Sequence, residues 1–174
     1  MISVAIVRPD AALDAHWDEL RPFAHNAFMN PAALRAAGNA TFAAITVLLA
    51  WEITTEQVRL VGMWAVQARQ FMFWPFLEAL PFNYAFLSTP VLHPDHAEDV
   101  MPAFLAAIAA NRDLPDTLVL RDLDAAGREY AALQQASKSL PHALIRTDQR
   151  PIATRDSGLK RTGSTRRKLR KDWN

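Results

Sequence analysis

Two long β-branched and aromatic runs lie almost back to back in this chain. Residues 42–53 read FAAITVLLAWEI and residues 57–68 read QVRLVGMWAVQA, separated by the polar Thr54-Thr55-Glu56. Runs of this composition around so short a polar break predict an antiparallel hairpin. A sheet built on that hairpin must cover its apolar faces, and the flanking sequence supplies helices to do so. Ile2 to Arg8 reads as a first strand. Pro9 and Asp10 open a helix to about Ala24, with Leu13, Trp17 and Leu20 on one face. Asn30-Pro31 has the chemistry of an N-cap followed by proline at the first helical position, and Gly38 ends that second helix.

Beyond the hairpin, FMFWPFLEALPFNYAFL (71–87) is the most aromatic stretch. Pro75 and Pro81 interrupt it, predicting a short strand, an apolar loop and a further strand at Tyr84–Leu87. Pro94 starts a helix whose first turns hold Asp95, Glu98 and Asp99, where the macrodipole favours acids, and which runs through Val100, Phe104 and Ile108 to Asn111. Strands at 117–121 and 142–147 flank a helix at 125–138. The order β-α-α-β-β-β-β-α-β-α-β predicts an α/β domain with a mixed, largely antiparallel sheet flanked by helices.

Composition excludes several chemistries. The chain has no cysteine, so a disulfide scaffold, a thiolate zinc site and a cysteine nucleophile are ruled out. No stretch approaches the ~20 apolar residues of a membrane span, and the N-terminus turns charged at Arg8, so a cytoplasmic protein without membrane partners is expected. The five glycines are scattered, and no Walker loop, dinucleotide-binding glycine motif or nucleophile elbow is present. The Gln/Arg-x-x-Gly-x-Gly/Ala turn that marks acyl-CoA sites in many acetyltransferases is absent too. His93, Asp95 and His96 have the spacing of a partial metal cluster, but no third firm ligand is evident, and a helix start explains them; no metal is expected. Glu52, Glu56, Asp122, Asp124 and Glu129 form no spacing that announces a general acid or base, and read as solvated surface. Asp122-Leu123-Asp124 follows a strand and serves equally as a cap for the next helix.

The aromatic stretch, with Phe71, Phe73, Trp74, Phe76, Phe82 and Tyr84, could wall an acyl or peptide pocket, pack in the core, or be hidden by a partner lobe. Trp17, Trp51 and Trp64 read as core.

Charge is unevenly placed. Seven of the 19 basic residues lie in 160–174 against one of the 18 acids, which leaves 12 against 17, or −5, for residues 1–159. Arg166, Arg167, Lys168, Arg170 and Lys171 could grip a polyanion or nucleic acid. Leu169 and Trp173, four apart on one stripe, favour instead a helix packed on one face, which makes nucleic acid the less expected partner.

Several short segments, taken in order, resemble one family. They are Trp17-Asp18-Glu19-Leu20, Asn30-Pro31-Ala32-Ala33-Leu34-Arg35, Val58-Arg59-Leu60-Val61-Gly62-Met63, Asn83-Tyr84, Arg150-Pro151-Ile152 and Ser164-Thr165-Arg166-Arg167-Lys168-Leu169-Arg170. Their order and spacing resemble the GNAT-superfamily acetyltransferases of the cellulose-biosynthesis type, with two GNAT-like lobes in tandem as in Fem-type aminoacyl transferases. The resemblance implies an N-terminal GNAT-like lobe at 1–159, with 160–174 beginning a helix that leads into a second lobe. It implies acyl-CoA-dependent transfer to an amine, using acetyl-CoA or another acyl-CoA bound mainly in that second lobe. The aromatic stretch would then face an acceptor cleft or the partner surface, supplied by the second lobe or by another copy in a homo-oligomer. No catalytic residue is assigned within 1–174.

Overall fold

The computed structural model describes residues 1–26, 29–39, 44–79 and 88–139. All belong to one unit, Met1–Leu144. The expected strands at 84–87 and 142–147, and the basic helix after 160, lie outside the described residues.

The predicted hairpin is the centre of the sheet. Strand β2 (Ile45–Ile53) pairs antiparallel with β3 (Val58–Phe71), and their turn is tied by the Thr54 N–H donating to the Gln57 carbonyl at 3.0 Å. β1 (Ile2–Val7) adds antiparallel to the outer side of β2. On the far side of β3, β4 (Trp74–Ala79) pairs with its second half and β5 (Val91–Leu92) with its first half, both antiparallel. β6 (Leu118–Val119) runs parallel to β4, so the sheet is mixed but mainly antiparallel.

Residues 60–67 of β3 are buried throughout, which means that both faces of the sheet are covered. The helix α3 (Ala97–Ala110) lies on the face of Gly62 and Trp64, where an added Cβ at Gly62 would meet Val100 and Phe104. α4 (Arg128–Ser137) packs on α3. Residues 11–39 contact β2 and β3 through α1 (Trp17–Leu20) and α2 (Pro31–Asn39). Leu13, Trp17, Leu20, Met29 and Leu34 are buried there.

Local chemistry accounts for most boundaries. Asn30 Oδ1 accepts the Ala32 N–H at 2.8 Å, capping α2 as its sequence predicts. The predicted helix over 9–24 is instead a chain of short pieces: a 3-10 segment at Ala11–His16, one α turn, and a second 3-10 segment at Arg21–Phe23. Pro22 lacks the N–H that a continuing α-helix would need, and the second 3-10 segment seats it in its first turn, where no intrahelical bond requires that N–H. The apolar face survives, because Leu13, Trp17 and Leu20 are all buried. α4 starts three residues later than predicted. Asp124 does not cap it; its Oδ1 takes the Ala126 N–H at 3.0 Å in a local turn, and Gly127 occupies the cap position.

Pro75 does not break the aromatic stretch but sits inside β4, opposite Gln70. Phe71 and Trp74 close the two-residue turn, so the next pair, Gln70 and Pro75, is one that exchanges no backbone hydrogen bonds. Pairing with β6 begins only at Leu77. The missing proline N–H therefore costs the ladder nothing.

Candidate functional site

The distal half of the β3–β4 hairpin is an arm that reaches beyond the helical layers: residues 68–75 are all exposed. At its tip Met72 takes a φ of 55°, a left-handed value rare for so bulky a side chain. Phe71, Met72, Phe73 and Trp74 are 69–93% exposed. The core-packing alternative for these aromatics is thereby overturned, because a hairpin this long outruns the helices that would cover it. Phe76 is half-buried nearer the sheet. Phe82 and Tyr84 lie outside the described residues, as do Arg166, Arg167, Lys168, Arg170 and Lys171.

Strand register decides what shares a face with these rings. Phe71 opposes Trp74, Arg69 opposes Phe76 and Gln67 opposes Glu78, and directly opposed residues point the same way. Val119 of β6 is opposite Glu78, so Arg121, two residues on, falls on that face also. Glu78 is only 5% exposed. Its two oxygens are bridged by two guanidiniums: Arg121 Nε to Oε1 at 2.9 Å and Arg69 Nε to Oε2 at 3.4 Å. Asp122, with a φ of 51°, turns the chain sharply just after Arg121. This bridge is invisible to motif reading. A strand parity carried through Pro75 would have put Glu78 beside Phe76 and Trp74, but Arg121 comes from more than forty residues away.

A second polar cluster forms on the α3 face, where Val61 is an extra residue in β3: Ala50 pairs with Gly62 but Trp51 with Leu60. The bulge leaves the Val61 carbonyl to accept the His93 N–H at 2.8 Å, and the Leu60 N–H is taken by Glu19 Oε2 at 3.1 Å. Beyond it, Glu52 and Arg59 are opposed and joined at 3.0 Å. The same Arg59 Nη2 lies 2.8 Å from His96 Nε2, which must therefore accept, placing the proton of a neutral His96 on Nδ1. Glu52, with His96, Asp99 and Ala103 of the α3 region and Met1 and Ile2 of the N-terminus, lines an open groove of about 480 Å³. Glu52 is thus no freely solvated carboxylate, contrary to the expectation from its spacing.

His93 and His96 stand with ring centroids 5.2 Å apart, and Phe23 meets His93 edge-on at 4.8 Å. His93 Nδ1 accepts the Asp95 N–H at 3.3 Å. The His93 ring is thus engaged in the turn and the His96 ring with Arg59, and among the described residues no group of three His, Cys, Asp or Glu is placed to hold a metal ion. Burial first, and then the Arg59 charge, hold the His93 pKa below its ordinary 6.5. A histidine kept neutral in the fold takes up its proton more readily when unfolded. The stability it contributes is therefore complete above pH 6.5 and declines as pH falls from there toward the lowered value. Melting temperature is expected to fall between pH 7.5 and 5.5, with a shallower fall in His93→Phe, which keeps the ring packing. An equal slope in the variant would assign the pH dependence to other groups.

The acyl-CoA implied by the resemblance needs a place for its pyrophosphate, and a helix N-terminus following a sheet strand is the natural one. α3 follows β5 in that way, yet Asp95, Glu98 and Asp99 surround its start. Several nearby donors are engaged as well: the Asp95 and His96 N–H groups go to His93, and Arg59 is held by Glu52 and His96. These residues do not fit a pyrophosphate.

No protein-family model matches the chain, and no curated protein matches it. Its likenesses are among solved structures. A ribosomal-protein-alanine N-acetyltransferase from Brucella melitensis biovar Abortus 2308 matches with a TM-score of 0.51 at 15% identity, over 88% of this chain and 99% of its own. An aminoglycoside acetyltransferase from an uncultured soil metagenomic sample matches with a TM-score of 0.50 at 14% identity, again over 88% and 99%. Among the described residues no helix is long and apolar enough to cross a membrane. The mixed, largely antiparallel sheet flanked by helices matches the GNAT acetyltransferase fold of these two structures.

Proposed function

We propose that the chain is the N-terminal GNAT-like lobe of an N-acyltransferase that uses an acyl-CoA to acylate an amine. The observation that supports the acyl-transfer part of this reading is the match to two acetyltransferases over 99% of their lengths. The poor fit of the α3 N-terminus to a pyrophosphate favours the tandem, Fem-like form of the reading, in which the acyl-CoA is bound mainly by a second lobe entered through residues 160–174. In that arrangement this lobe contributes acceptor surface, and the projecting aromatics of 71–76 are the part best suited to meet an acceptor, the second lobe or another copy. No described residue is given a proton-transfer role.

Calorimetric titration with acetyl-CoA, set beside the intact mass of the native product, tests both parts. The 174-residue chain is expected to show no saturable binding. The native product is expected to be about twice the 19.4 kDa of this chain and to bind and transfer the acyl group. Saturable binding by the 174 residues alone would overturn the divided site. A native product of 19.4 kDa would overturn the tandem arrangement, and salt-sensitive capture of a polyanion by residues 160–174 would then favour the binding-module reading.

A further inference from the structure

We propose that the face of the β3–β4 arm bearing Arg69, Phe76, Glu78 and Arg121 binds a carboxylate carried on an apolar body, the chemistry of a free apolar amino acid or of a peptide's C-terminal residue. A buried carboxylate needs compensation, and one guanidinium supplies it. Glu78 has two, so the cluster carries a surplus of one positive charge next to an aromatic surface. Each arginine comes closest to Glu78 at Nε, and among the described residues neither Nη pair has a hydrogen-bond partner, so both are left for another acceptor. Their side chains are 49% and 66% exposed, against 6% for that of Glu78. Because they meet two oxygens of one carboxyl group, the two guanidiniums are neighbours, and one further carboxylate can accept from both. The surplus matches a monoanion. The rest of the ligand is answered by what shares the face: Phe76 opposes Arg69, and Trp74 and Phe71 continue toward the tip. An apolar body anchored at its carboxylate would lie along these rings.

The proposal deepens the acyl-transfer reading by naming a class of acceptor, since such a ligand can carry a primary amine, and it rests on that reading only for the chemistry after binding. The test therefore reads binding alone. The indole N–H resonance of Trp74, identified by its loss in Trp74→Phe, is followed while the chain is titrated with L-phenylalanine, glycyl-L-phenylalanine or phenethylamine. On an open face, saturation by the two carboxylates is expected on the order of millimolar. Phenethylamine, which lacks the carboxylate, is expected to bind at least about ten-fold more weakly, and Arg121→Gln to weaken L-phenylalanine by a similar factor. Arg121→Lys, which keeps the charge without the fork, should fall between, and it also serves should Arg121→Gln not fold. The tighter of the two carboxylate ligands tells whether a free amino acid or a peptide end is preferred. Equal binding of phenethylamine, absence of saturation by either carboxylate, or indifference to both Arg121 variants would overturn the proposal. Failure of acetyl-CoA to bind the native product would overturn acyl transfer and leave this site standing.

Discussion

Gly62→Ala is expected to destabilise the fold by about 3 kcal/mol, although alanine is ordinarily the better strand residue. The backbone at Gly62 needs no glycine for its φ. What excludes a side chain is α3, seated so close that a Cβ would stand 2.6 Å from Val100 Cγ1, 3.1 Å from Phe104 Cζ and 3.2 Å from the Ala50 Cβ. Valine is stiff about χ1 and cannot swing its methyl aside in a helix. Phe104 is fully buried, so its ring has no room to retreat. The helix must lift from the sheet. Against this, the lower unfolded-state entropy of alanine returns only about 0.4–1 kcal/mol. Urea denaturation of the single variants and of Gly62→Ala/Val100→Ala separates clash from other causes. Removing the methyl that collides should make the double variant more stable than the two single losses imply, by at least about 1 kcal/mol. Simple additivity would show that the helix does not approach here as closely as the contact distances state.

That close approach is the kind of feature a sequence announces only obscurely, as a lone glycine in a strand. Features set by neighbours in sequence are far more legible. The polar break at Thr54–Glu56 marks the hairpin, Asn30-Pro31 caps a helix, and the spacing of Val100, Phe104 and Ile108 marks α3's buried face. Misreading arises where a local rule depends on a distant partner. Pro75 looks like a strand breaker unless the two-residue turn at Met72-Phe73 is known, because only that turn puts it opposite Gln70 at a position without ladder bonds. The apolar stripe of Leu13, Trp17 and Leu20 predicts one helix over 9–24, yet the run is divided into short turns, with Pro22 in the last of them. The polar part of the candidate site is less legible still. Phe71, Phe73 and Trp74 can be singled out by composition, but Arg69, Glu78 and Arg121 meet only because β6 runs parallel to β4. No spacing within one segment records that. Likewise Arg59 and His96 are joined across β3 and the turn into α3, where a bulge at Val61 sets the local register.

Trp64→Ala should cost about 3–5 kcal/mol, a large share of the ~5–15 kcal/mol that stabilises a typical domain. Trp64 is fully buried at the same interface as Gly62, with its ring 5.9 Å from that of Phe104 at 45°. Two separable contributions are lost with it. The first is packing, since removing an indole opens a cavity that a rigid β-sheet and a helix cannot collapse around. The second is polar: Nε1–H donates to the Ser88 carbonyl at 3.0 Å, while Ser88 Oγ donates to the Ala79 carbonyl at 3.0 Å. Together these bonds fasten Ser88, on the way into β5, to β3 and to the end of β4, the strand that carries Glu78. Trp64→Phe keeps much of the apolar volume but strands a buried carbonyl, a loss of about 1–3 kcal/mol. The two variants therefore differ in kind as well as in size. Trp64→Ala should lower protection from hydrogen exchange throughout the sheet. Trp64→Phe should lower it chiefly at Ala79 and in β5, with β1 and β2 little changed. A uniform loss in both variants would mean that the Ser88 bond has no local role, and that Trp64 acts through packing alone.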